Sequence, residues 1–131
     1  MILDSSALLA ILNGEPERDR MTAAIFAADS CSVSAPTLLE TAMVAEGKAG
    51  DRGRDELDNL LDELDLRIEP FTAEHFVVAR QAFRRYGKGQ RHPAQLNSGD
   101  CIAYALSKAT GEPLLFKGDD FAQTDIAVAE Y

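Results

Sequence analysis

Four acids stand where this chain's pattern places strand ends and helix starts. Asp4 closes the apolar run Met1-Ile2-Leu3, and Glu40 falls in the second turn of a helix that Pro36 opens. Asp100 lies in the first turn of a helix beginning at Ser98-Gly99, and Asp119 comes just after Leu114-Leu115-Phe116. In open parallel sheets the active crevice lies beyond the carboxyl ends of the strands, beside helix N-termini, and each acid can reach that edge. Carboxylates converging there repel one another unless some protonate or a cation binds. An oxygen-only donor set suits a hard ion such as Mg²⁺ or Mn²⁺. Each acid also has a plainer reading. A first-turn carboxylate is favoured by the helix dipole alone, and an Asp after a strand is ordinary turn chemistry. Taken singly, the acids are a weak signal.

The elements that must position them alternate between strand and helix. Met1–Asp4, Cys31–Ser34, Arg67–Pro70 and Leu114–Phe116 read as short strands, with Ile126–Val128 as a fifth candidate. Ser5 or Ser6 can cap a helix carrying Ala7, Leu8, Ile11 and Leu12, which Asn13-Gly14 ends. Pro16 sits as an early residue of a second helix reaching Ala28. The Pro36 helix continues through Leu39, Met43 and Val44 to about Gly47. Leu57, Leu60, Leu61 and Leu64 keep helical spacing with acids on the other face. Thr72 caps a helix with Phe76, Ala79 and Phe83 expected inward, closed by Gly87. The helix from Ser98 is apolar almost all round, so it packs on more than one side. This alternation predicts an α/β fold with a central, mainly parallel sheet of four to five short strands and helices on both faces.

The 131 residues fit one domain spanning 1–131. No run approaches the roughly 18 apolar residues of a membrane helix, and the start of the chain lacks a basic leader, so a cytoplasmic protein with no membrane partner is expected. Cys31 and Cys101 form neither a metal spacing nor a disulfide framework. A net charge of −9 argues against nonspecific nucleic-acid binding through overall charge. The charge is uneven, however. Asp51, Asp55, Glu56, Asp58, Asp62, Glu63 and Asp65 crowd one stretch, read as the solvated face of an amphipathic helix, whereas Arg84, Arg85, Lys88 and Arg91 cluster elsewhere.

Longer segments around the acids carry a family likeness. Met1-Ile2-Leu3-Asp4-Ser5-Ser6-Ala7 resembles the opening of PIN-domain ribonucleases, especially the VapC toxins of bacterial toxin–antitoxin pairs. Ser34-Ala35-Pro36-Thr37-Leu38-Leu39-Glu40 is similar to their second segment. His92-Pro93-Ala94-Gln95-Leu96-Asn97-Ser98-Gly99-Asp100-Cys101 resembles the third, and Leu114-Leu115-Phe116-Lys117-Gly118-Asp119-Asp120-Phe121 the fourth. The segments come in family order and spacing, and the likeness covers nearly the whole chain. A three-layer αβα PIN-like fold is implied, with Asp4, Glu40 and Asp100 as acids holding Mg²⁺ or Mn²⁺. The expected fourth acid is Asp119, with Asp120 as the alternative. Ser6 matches a small hydroxyl residue that supports the site, alongside its reading as a helix cap. Ser98 departs from the bulky residue many relatives carry before Gly-Asp, which leaves the acid itself intact.

The implied activity is metal-dependent endoribonuclease cleavage of a structured RNA such as tRNA or rRNA. Neither His75 nor His92 has a partner identifiable from sequence, so a water activated by the metal is the expected nucleophile, attacking the phosphodiester in line. Implied partners are a VapB-type antitoxin and a second copy of the chain, for which the helices carrying Leu8, Leu12, Leu39 and Met43 are interface candidates; core packing would produce the same letters. Arg84, Arg85, Lys88 and Arg91, interleaved with Tyr86, suit an RNA backbone and a stacked base, although arginines near a helix end are favoured by the dipole in any case. A phosphoacceptor receiver module also uses strand-end acids. Here the third strand ends in Glu69-Pro70 and Asp4 is followed by serines, which fits a receiver poorly. A non-catalytic PIN RNA-binding module is disfavoured by the intact acids.

Overall fold

The computed structural model describes all 131 residues. Four short strands, β1 (Ile2–Leu3), β2 (Ser32–Ser34), β3 (Arg67–Glu69) and β4 (Leu114–Leu115), form one sheet in the order β3-β2-β1-β4. Every pairing is parallel, with Ile2 opposite both Ser32 and Leu114, and Val33 opposite Ile68. The helices are α1 (Ser5–Leu12), α2 (Arg18–Ala27), α3 (Ala35–Leu64), α4 (Ala73–Tyr86) and α5 (Ser98–Thr110). The fifth strand candidate is reduced to a single bridge between Leu114 and Val128. No helix is long and apolar enough to cross a membrane.

Side-chain alternation along the strands divides the interior into two cores. Ile2 and Leu114 point to one face, where Ala82 and Tyr86 of α4 and Cys101, Ala103, Tyr104 and Leu106 of α5 cover them. Leu3, Val33 and Leu115 point to the other, beneath Ala7, Leu8 and Ile11 of α1, Met21 and Ile25 of α2, and Leu64 of α3. Ile2, Leu3, Leu8, Leu114 and Leu115 are fully buried, and each contributes about 1.5–3 kcal/mol through apolar burial. Residues that differ in register by one thus hold opposite layers together.

The stretches read as separate helices, one ending near Gly47 and one carrying Leu57–Leu64, are two helices in the structure, meeting within α3 at a sharp corner where Gly50 has φ 58° and ψ −138°. An L-residue is strained in that conformation and glycine is not. The inward face of α4 is Val78, Ala79, Ala82 and Tyr86, whereas Phe76 and Phe83 are 55% and 43% exposed. Ala79 belongs to both stripes. The stripe with two alanines wins because small residues let α4 approach α5 and bring Tyr86 against Tyr104, with ring centres 5.9 Å apart. Finally, α1 is capped by Asp4, whose carboxylate accepts from the Ser6 N–H, and α2 begins at Arg18, two residues beyond Pro16.

Gly50→Ala should lower unfolding free energy by about 1–3 kcal/mol through strain at the corner. Urea denaturation checks this; an unchanged midpoint would mean the corner tolerates a side chain.

Candidate active site

Because all four strands are parallel, their carboxyl ends share one edge, and α1 and α3 both start there. The α5 helix precedes β4 and runs against it, so its N-terminus returns to the same edge. This topology gathers residues distant in sequence.

Asp4 is 3% exposed. Its Oδ2 accepts from the Ser6 N–H at 2.9 Å and from the Ser6 hydroxyl at 2.6 Å. Burial pushes its carboxyl up from the usual range, and the bonds from Ser6 only partly oppose this. Ser6 Oγ in turn accepts from the Lys117 N–H at 3.0 Å, tying the loop after β4 to α1. Ser6 therefore supports Asp4 rather than capping its own helix.

Asp100 is placed by a reciprocal capping box. Its N–H donates to Asn97 Oδ1 at 2.9 Å, and its Oδ2 accepts from the Asn97 N–H at 2.8 Å. Burial raises its pKa to about 6 against the pull of the Asn97 bond, and the charges of Asp4, Asp120 and Glu40 each push it higher. Glu40 is raised by burial and by Asp4. Its carboxylate lies against Gly99, where an added Cβ would come within 2.5 Å of Oε2. Gly99 thus gives Glu40 room beside the α5 N-terminus.

Asp119 and Asp120 are both exposed, and the charge felt at Asp100 is that of Asp120. No lysine, arginine or N-terminus forms an ion pair with Asp4, Glu40, Asp100, Asp119 or Asp120. Nor do any three His, Cys, Asp or Glu side chains form a ready-made metal cage. The acids share an electrostatic field without closing on one another. That is how unneutralised carboxylates behave, and their oxygen-only donors fit a hard divalent cation.

The basic cluster divides. Arg85 is committed: its guanidinium pairs with Asp125 at 3.5 Å and lies 4.8 Å from the Tyr86 ring centre. Asp125 also accepts from the Tyr104 hydroxyl at 2.6 Å and from Lys108 at 3.0 Å, which hold its carboxyl at about 2. Arg84, Lys88 and Arg91 are exposed and make no ion pair. His92 packs edge-on against Tyr86 and accepts from the Ala94 N–H, and Thr72 caps α4 as expected, with His75 Nδ1 accepting from the Thr72 N–H to complete the box. Sequence reasoning passed over Asn97, although its spacing to Asp100 was a legible capping signal. It also passed over Lys117, whose ion partners are remote in sequence.

The field at Asp100 has a thermodynamic consequence. Its folded pKa of about 6 lies above the unfolded value, about 3.9. The unionised acid therefore favours the fold below about pH 4, and that contribution is lost as pH rises through about 6. In EDTA, Asp100→Asn should stabilise the protein at pH 7.5 by about 1–2 kcal/mol, after discounting for partial solvent exposure. The gain should shrink at pH 5, and the amide oxygen still caps Asn97. Asp125 does not confuse this window, since its lowered pKa acts only in stronger acid. Denaturant melts at both pH values check it; a variant less stable than wild type at pH 7.5 would contradict it.

Comparisons with known proteins agree with this architecture. The PIN domain family matches residues 1–127. Ribonuclease VapC30 of Mycobacterium tuberculosis is 46% identical over 127 residues, covering 97% of this chain and 96% of that protein. Among solved structures, Mycobacterium tuberculosis VapC20, described as a sarcin-ricin loop cleaving toxin, superposes with TM-score 0.76 at 16% identity, covering 96% of this chain and 95% of that one. VapBC2 from Rickettsia felis, bound to a promoter DNA fragment, superposes with TM-score 0.75 at 16% identity, covering 98% and 96%. A parallel sheet whose carboxyl edge collects Asp4, Glu40, Asp100 and Asp120, matched nearly end to end by these relatives, places the chain in the PIN-domain family, among the VapC ribonucleases.

Proposed function

We propose that this chain is a metal-dependent endoribonuclease toxin restrained by a VapB-type antitoxin. The observation that carries the reading is the shared field of Asp4, Glu40 and Asp120 on Asp100, at a sheet edge where no protein cation pairs with them. Such a cluster gains most from a divalent cation, and the relatives named VapC ribonuclease at 41–46% identity support RNA as the substrate. The proposed substrate class is structured RNA, tRNA or rRNA, met in the cytoplasm.

Asp4, Glu40 and Asp100 would hold Mg²⁺ or Mn²⁺, and the fourth acid is assigned to Asp120 in preference to Asp119, because its charge reaches Asp100. A bound ion would supply Lewis acidity, lowering the pKa of water and neutralising charge that develops on the phosphate. The residues supply orientation. Ser6 fixes the rotamer of Asp4 by donating to Oδ2. Asn97 fixes Asp100, and Gly99 sets where Glu40 can stand. Arg84, Lys88 and Arg91 are the cations free to meet the RNA backbone, while Arg85 serves the Asp125 anchor.

The antitoxin would place a basic side chain on the same carboxylates, excluding metal and RNA. Leu39 and Met43 of α3 are 60% and 67% exposed, and Val44, Phe76, Val77 and Phe83 are exposed as well. This apolar area, with Leu8 excluded because it is core, is what antitoxin binding and homodimerisation would cover.

Asp4→Asn, Glu40→Gln and Asp100→Asn should each slow cleavage of a tRNA pool in Mg²⁺ or Mn²⁺ by on the order of a hundredfold, the loss of a few kcal/mol of transition-state stabilisation. Wild type in EDTA should be inactive. Near wild-type rates in two of the variants, or full activity in excess chelator, would overturn the reading.

A further inference from the structure

Lys117 stands at the carboxyl end of β4, one residue beyond Phe116. Its backbone is bound into the site: the Lys117 N–H donates to Ser6 Oγ at 3.0 Å, and that hydroxyl donates to Asp4 Oδ2 at 2.6 Å. Its ammonium forms no ion pair with Asp4, Glu40, Asp100, Asp119 or Asp120. It is bonded to Glu15 and lies 3.2 Å from Glu17, both in the segment joining α1 to α2. One cation is therefore shared by two carboxylates, and the trio keeps a net negative charge. The clamp is more open to water on its Glu15 side, since Glu17 Oε2 is buried.

Two requirements meet at this residue. A cluster of acids in a chain of net charge −9 repels a polyanionic substrate, so a cation is needed where the phosphates approach. The same cation must not sit on the acids, because there it would displace a divalent ion. Arg84, Lys88 and Arg91 lie on α4 and the loop after it, whereas Lys117 is anchored through one hydroxyl to Asp4 itself. The Lys117, Glu15 and Glu17 side chains are 38%, 33% and 23% exposed, and partly exposed ion pairs are worth little. The flexible four-carbon stem of lysine can therefore exchange a carboxylate for a phosphate at small cost.

We propose that Lys117 binds an RNA backbone phosphate beside the acids, and that Glu15 and Glu17 hold its ammonium clear of them until RNA arrives. This rests on the ribonuclease reading and adds a substrate contact to it.

The test uses the full chain and a fluorescein-labelled single-stranded RNA of mixed sequence, with Ca²⁺ present. Fluorescence anisotropy is read between about 50 and 200 mM salt, a range in which phosphate contacts are strongly salt-dependent. Lys117→Met should weaken binding about three- to tenfold and flatten the slope of log K against log[salt] by about 0.7, the share of one phosphate contact on a single strand. Lys117→Arg should restore both. Glu15→Gln/Glu17→Gln should tighten binding about twofold or more, because the competing carboxylates are gone. Wild-type affinity and slope in Lys117→Met, at an unchanged melting temperature, would overturn the proposal, as would wild-type affinity in the double variant. If Lys117→Met fails to fold, Lys117→Arg and the double variant decide the matter. The two readings fail differently: wild type that neither binds nor cuts RNA in Mn²⁺ removes the ribonuclease reading and this contact together, whereas wild type that cuts RNA while Lys117 variants bind normally removes only the contact.

Discussion

Asp4 is 3% exposed at the end of β1, and Ser6 is the one side chain that hydrogen-bonds it. Burying a carboxylate beside other carboxylates opposes folding, and the surrounding structure is arranged around that opposition. Burial raises Asp4, Glu40 and Asp100 alike; the charge of Asp4 adds to the rise at Glu40, and those of Asp4, Asp120 and Glu40 add to it at Asp100. A protein selected for stability alone would place a cation or an apolar side chain here. In this chain no lysine or arginine pairs with the acids, and Lys117, whose N–H bonds Ser6 beside Asp4, gives its ammonium to Glu15 and Glu17. On the proposed reading, a bound cation would relieve this opposition.

The fold can bear this cost because a buried apolar core lies on either side of the sheet. Ile2 and Leu3 lie immediately before Asp4, fully buried on opposite faces, so the strand that delivers the acid is held from both sides. The parallel order β3-β2-β1-β4 does the rest. It obliges α1, α3 and α5 to start at one edge, which is where Asp4, Glu40 and Asp100 are placed. At the far side of α5, Asp125 gathers Tyr104, Lys108 and Arg85, pinning the chain after β4 against α4 and α5.

Much of this was legible in the sequence, because the signals were local. Short apolar runs alternating with helical spacing identify a parallel sheet, and an acid just after such a run belongs at its carboxyl edge. What was not legible depended on contacts between remote segments. The stripe on α4 was ambiguous because Phe76-Ala79-Phe83 and Ala79-Ala82-Tyr86 both have helical spacing; only the partner helix chooses between them. The two helices of α3 were legible, but their corner falls at Gly50 rather than Gly47, since either glycine can break a helix. Asp119 and Asp120 differ by one residue in a turn, and the turn decides which charge reaches Asp100. Lys117 and Glu15 are separated by 102 positions, a distance over which no periodicity operates.

On the proposed reading, these acids form a site for a hard divalent cation. Metal that binds a partly protonated carboxylate must expel the proton, so binding and titration are linked. Calorimetric titration of Mn²⁺ into the protein, repeated in buffers of different ionisation enthalpy, measures that release directly. With Asp100 titrating at about 6, binding should release roughly half a proton or more at pH 6 and close to none at pH 8. Asp100→Asn should abolish both the release and most of the affinity. No Mn²⁺ binding, or binding whose proton release is unchanged between the two pH values, would contradict the account.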